Sequence, residues 1–151
     1  MVAERAAHRD LIDRPITDVM SCPVFSVSVR LSLGEVLEAM VQTGFRHLVV
    51  VDDVRRCLGV VGDRAVTAAW ASDPSALSVM HVGRILDPRP AVVAHDATVG
   101  EVARALYVDR VDAVAVIDRS GAPVGMVTAA DLVALMAGQV DAARSVKDAA
   151  G

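Results

Sequence analysis

Aromatic side chains are almost missing: one Trp, one Tyr and two Phe make up 3% of 151 residues. The core therefore has to be aliphatic. Cysteine is scarce as well. Two thiols, Cys22 and Cys57, form neither a disulfide framework nor a zinc site. A cationic surplus is absent: of 15 basic residues only Lys147 is a lysine, and the formal net charge is −4. That balance lacks the footprint nucleic-acid binding demands, so no nucleic-acid partner is expected. No apolar run approaches the roughly 20 residues of a membrane span. The dense ones, such as Leu48–Val51, have strand length, and no membrane association is expected. Residues 1–14 alternate charge with alanine and contain no basic-then-apolar block, so no secretory signal is expected and the expected location is cytoplasmic. His8, His47, His81 and His95 show no metal-ligand spacing. No nucleophile elbow, phosphate loop or dinucleotide fingerprint is present. Neither a metal site nor catalysis is expected.

What the chain does have is apolar content, 54%, and an internal repeat. Shifted by 66 positions, Gly34-Glu35-Val36 falls on Gly100-Glu101-Val102, Asp52 on Asp118 and Gly59 on Gly125. No gap is needed from Ile16/Val82 to Ala68/Ala134. Each copy opens with a short extended stretch, Val24–Val27 or Ala91–Val93. Ser32-Leu-Gly-Glu35 and Thr98-Val-Gly-Glu101 then fit a capping box and announce an amphipathic helix. Its apolar face is Leu33, Val36, Leu37, Met40 and Val41 in copy one, and Val99, Val102, Ala103, Leu106 and Tyr107 in copy two.

The runs Leu48–Val51 and Val114–Ile117 suit strands covered on both faces. Turn residues follow each run, then a second strand, Leu58–Val61 or Val124–Val127, giving a hairpin. A closing helix spans Arg64–Trp70 or Ala130–Ala137, with Gly138 as a stop. The expected fold class is α/β, two βαββα units related by a pseudo-twofold. The expected boundaries are an extension at 1–14, copy one at 15–71, a linker at 72–81, copy two at 82–138 and a tail at 139–151.

Each copy resembles a CBS motif, named after cystathionine β-synthase, and the pair resembles a Bateman module. The resemblance rests on Thr17-Asp18-Val19-Met20, on Phe45 to Asp52, and on Gly125-Met126-Val127-Thr128-Ala129-Ala130-Asp131. It implies a regulatory, non-enzymatic sensor of AMP, ADP, ATP or S-adenosylmethionine. It also implies pairing of two copies through their helices into a twofold disc, and a regulated protein on a separate chain. A ligand-free interaction or dimerisation module is the alternative. Val133, Met136 and Trp70 are the apolar residues expected at the homodimer interface.

The site follows from the last of those segments. Gly125 permits close approach to the backbone. A helix N-terminus offers free N–H groups to a phosphate, Thr128 adds a hydroxyl, and Asp131 accepts from ribose hydroxyls. The same residues also read as a helix cap and a dipole partner. The resemblance places Arg46 and His47 in the cleft between copies, where the Arg fork pairs phosphate oxygens. His81, Arg84 and Arg89 are further candidates to line it. Copy one carries Gly62 and Ala65 where copy two has Thr128 and Asp131. It is therefore expected to hold no ribose-phosphate, with Asp63 capping its helix instead.

Overall fold

A computed structural model describes residues 1–138; the tail expected at 139–151 lies outside the described residues. Two three-stranded sheets, β1-β2-β3 and β4-β5-β6, carry the repeat. In the first half, β1 (Ser26–Ser28) leads through α2 (Leu33–Thr43) to β2 (His47–Val51), β3 (Cys57–Gly62) and α3 (Asp63–Ser72). In the second, β4 (Val92–Ala94), α5 (Val99–Asp109), β5 (Ala113–Ile117), β6 (Pro123–Thr128) and α6 (Ala129–Met136) repeat the order. The fold is two βαββα motifs, and the register keeps the offset throughout. Val50 faces Gly59 as Val116 faces Gly125, and both hairpins shift register just after those pairs. Asp52 and Asp118 build equivalent turns, each carboxylate accepting backbone N–H groups two and four residues on.

Local chemistry explains the elements. Ser32 Oγ accepts from Glu35 N–H (3.2 Å), and Glu35 Oε2 accepts from Ser32 N–H (2.8 Å). Thr98 and Glu101 do the same at 3.2 and 2.9 Å. Both capping boxes are complete. The central strands are buried on both sides. Val50 and Val116 face the helices of their own halves, while Val49, Val51 and Ala115 meet between the two sheets.

The backbone hydrogen bond that Glu35 accepts from Ser32 holds its carboxyl below the ordinary value of 4.5, and the Ser32 side chain adds to the effect. A depressed carboxyl stabilises the fold above its unfolded value and loses that contribution as pH falls through the folded one. The melting temperature of Glu35→Gln is therefore expected to lie below wild type at neutral pH, with the gap closing as pH falls below about 4.5. A gap constant from pH 7 to pH 3 would show that the carboxylate charge contributes nothing.

Three features depart from the sequence expectations. The extended stretches begin later than expected, at Ser26 and Val92. The linker carries a helix, α4 (Ala76–Val79), packed on α2. The extension is helix α1 (Val2–Ile12), packed on α5. The end of α1 and α4 lie 66 residues apart, so they are one repeated element. Gly34 and Gly100 permit that packing: a Cβ would lie 2.8 Å from the Leu77 carbonyl or 3.1 Å from the Ile12 carbonyl.

The lead-in segments are exchanged between halves. Ile16, Val19 and Met20 are buried with Val99, Val102 and Leu106 of the second half. Val82 is buried with Leu33, Val36 and Met40 of the first. Matching hydrogen bonds tie the crossings: Ile16 N–H to Ala97 O (2.9 Å) and Val82 N–H to Leu31 O (2.8 Å).

Candidate functional site

A cleft of about 710 Å³ opens where the two halves meet, lined from both repeats. Thr128 and Asp131, at the start of α6, line it. So do Arg46, just before β2, and His47, its first residue. In each half the antiparallel hairpin sets the start of the middle strand beside the N-terminus of the exit helix: His47 pairs with Gly62, and Ala113 with Thr128. Of the other basic candidates, Arg89 lines the cleft, while His81 and Arg84 do not.

Thr128 and Asp131 form a third capping box. Thr128 Oγ1 accepts from Asp131 N–H (3.2 Å), and Asp131 Oδ2 accepts from Thr128 N–H (2.9 Å). Their capping role is thus present, and it fixes both side chains at the cleft wall. Gly125 is different. It is absent from the cleft lining, and a Cβ there would overlap the Met20 sulfur. The group approaching its backbone closely in this structure is Met20.

Copy one lacks the third box. Its N-cap is Gly62, with no side-chain cap. Asp63 is the first helical residue and does not cap; its Oδ2 lies 3.8 Å from Arg46 Nε. Arg46 thus already faces a carboxylate, although its side chain is 83% exposed, and such an exposed pair is weak. The space a Thr would fill at position 62 is occupied by His47: a Cβ on Gly62 would lie 3.3 Å from His47 Cδ2. In copy two the cross-strand pair is Ala113 and Thr128. A bulky side chain thus faces a Gly in one half, and an Ala faces a Thr in the other.

The sequence reading missed Arg64, Arg110 and Asp87, which also line the cleft. Arg110 closes α5 with φ 53, where copy one has Gly44 at φ 75. The repeat alignment pairs those positions, and that pairing was the available signal.

Comparison with known proteins decides the family. The CBS domain family matches residues 16–72 and again 82–138. The chain belongs to the CBS domain family. A CBS domain-containing protein of Dictyostelium discoideum is 25% identical over 130 residues, spanning 80% of this chain and 90% of that protein. The CBS domain pair of protein MJ0100, solved with 5-methylthioadenosine and S-adenosyl-L-methionine, aligns with a TM-score of 0.74. Its identity is 20%, and the alignment covers 83% of this chain and 97% of that one. CBSX2, solved with AMP, aligns with a TM-score of 0.70 at 24% identity over the same shares, 83% and 97%. At these identities the likeness establishes the CBS-pair fold.

Proposed function

We propose that this CBS domain pair is a regulatory sensor, not an enzyme, that binds an adenine nucleotide or related adenosyl ligand at the start of α6. One observation carries the reading: Thr128 and Asp131 of one repeat share a single cleft with Arg46 and His47 of the other. A volume near 710 Å³ lies in the range of small-molecule sites. In this reading Asp131 holds the ribose hydroxyls, and Thr128 with the α6 N-terminus holds the first phosphate. Arg46 and His47 meet outer phosphates from across the cleft. That MJ0100 and CBSX2 were solved with adenosine-based ligands supports the choice of ligand class. AMP, ADP, ATP and S-adenosylmethionine form the test panel, screened by thermal shift and then calorimetry. No binding at millimolar concentration by any of them sinks the reading.

A second reading, a ligand-free interaction module, is favoured by exposed apolar residues on the helices. Trp70 is 50% exposed, Val133 60% and Met136 71%. Trp70 and Met136 occupy equivalent positions of the repeat, so both halves present apolar surface at the same place. Such patches mark interfaces. A cytoplasmic homodimer, acting on a separate regulated protein, is compatible with both readings. Light scattering at micromolar concentration should give twice the 15.8 kDa chain mass. A monomer would remove the homodimer.

A further inference from the structure

Among the described residues, two that are not glycine have a positive φ, and each has a glycine as its repeat twin. Arg110 (φ 53) stands where copy one has Gly44 (φ 75), and Arg55 (φ 64) stands where copy two has Gly121 (φ 86). The fold thus asks for a positive φ at both places, and glycine supplies it without steric strain. An arginine there brings its Cβ too close to the following carbonyl oxygen. The two arginines differ in surroundings. Arg55 lies in the turn between β2 and β3, outside the cleft, whereas Arg110 lines the cleft.

The chain ties Arg110 to the intact anchors. Two residues on, the Asp112 carbonyl accepts from Ala129 N–H (2.8 Å), and the next residue, Ala113, pairs with Thr128. Arg110 therefore lines the cleft within two residues of a direct contact with the start of α6. The commitments of the charged side chains point the same way. Arg46 faces Asp63, whereas among the described residues the guanidinium groups of Arg64, Arg89 and Arg110 make no ion pair and no hydrogen bond. Three of the four acids lining the cleft are engaged: Asp63 with Arg46, Asp87 with the Arg89 N–H, and Asp131 with the Thr128 N–H. The uncommitted charge is therefore mostly cationic, three arginines against Asp112.

We propose that Arg110 is a ligand-binding residue for the phosphate held at the start of α6, and that the cleft consequently takes a phosphorylated adenine nucleotide in preference to a sulfonium such as S-adenosylmethionine. A guanidinium fork pairs two phosphate oxygens and repels a sulfonium charge. The left-handed backbone at Arg110 is what it costs to place a fork where the repeat has glycine. This inference rests on the adenylate reading and adds to it one residue and the charge class of the ligand.

The probes, on the full chain, are AMP and 5-methylthioadenosine, adenosyl compounds with and without a phosphate. Arg110→Gly installs the residue copy one already has at the equivalent position. It should weaken AMP binding about tenfold, the scale of one charge-assisted hydrogen bond, and leave 5-methylthioadenosine binding unchanged. Without ligand, its melting temperature should rise by about 1–4 °C as the backbone strain is relieved. Arg55→Gly is the control: its melting temperature should also rise, with AMP affinity at the wild-type value. Unchanged AMP affinity in Arg110→Gly, or an equal loss for both probes, overturns the role of Arg110. Weakened AMP binding in Arg55→Gly would show that the effect is not local and equally overturn it. A lower melting temperature in Arg110→Gly would make the arginine a structural cap, with the same consequence. Should S-adenosylmethionine bind wild type as tightly as AMP, the charge class falls and the adenosyl reading stands. If wild type binds none of the three, the adenylate reading falls and takes Arg110 with it.

Discussion

Asp131→Ala is expected to weaken adenylate binding by about 5- to 150-fold, because it leaves ribose hydroxyls unpaired in a partly dry cleft. The structure adds a complication to this experiment. Asp131 Oδ2 accepts from Thr128 N–H, so the alanine variant also removes half of a capping box and costs about 0.5–2 kcal/mol of stability. Asp131→Asn separates the two effects. Its side-chain oxygen still accepts at the cap, while the charge and the second carboxylate oxygen are gone. The expected result is a melting temperature near wild type for Asp131→Asn, with affinity between wild type and Asp131→Ala. Equal affinity in all three proteins, measured by calorimetry, would place the ligand elsewhere.

The largest effect on stability is expected from Ile16→Ala. Ile16 is fully buried, yet its burial is in the core of the second half. Truncating a buried Ile costs about 2–5 kcal/mol, and at this chain length each kcal/mol lowers Tm by about 2–4 °C. Where the loss is felt carries more information than its size. Since Ile16 N–H donates to Ala97 O, faster hydrogen exchange should spread through α5 and β5. An effect confined to residues before Gly62 would contradict the exchange of lead-ins. Val82→Ala is the matching experiment in the opposite direction, with the first half destabilised.

These two experiments separate what was legible in the sequence from what was not. The repeat was legible because both kinds of periodicity survive in it. Helical spacing marks Leu33 to Val41 and Val99 to Tyr107, and dense aliphatic runs mark β2 and β5. The capping boxes were legible because their chemistry is local: Ser32 and Glu35, or Thr98 and Glu101, are three residues apart and bond each other. The loss of Gly62 and Ala65 as anchors in copy one was equally a local fact. Helix α1 was not legible, since its alanine-and-charge pattern buries no residue and shows no core face.

By itself, then, the sequence determined two βαββα units, their register and the single intact Thr128–Asp131 segment. All of these depend on neighbours within a few residues or on the 66-residue offset. Only tertiary structure decided which half each lead-in completes, because an apolar residue such as Ile16 carries no label for the core it joins. Only tertiary structure assigned Gly125 to Met20, since a missing Cβ makes room without naming what fills it. The same holds for the cleft. Arg46 and Asp131 stand 85 positions apart, and it is the packing of one sheet against the other, through Val49, Val51 and Ala115, that sets them on one cavity.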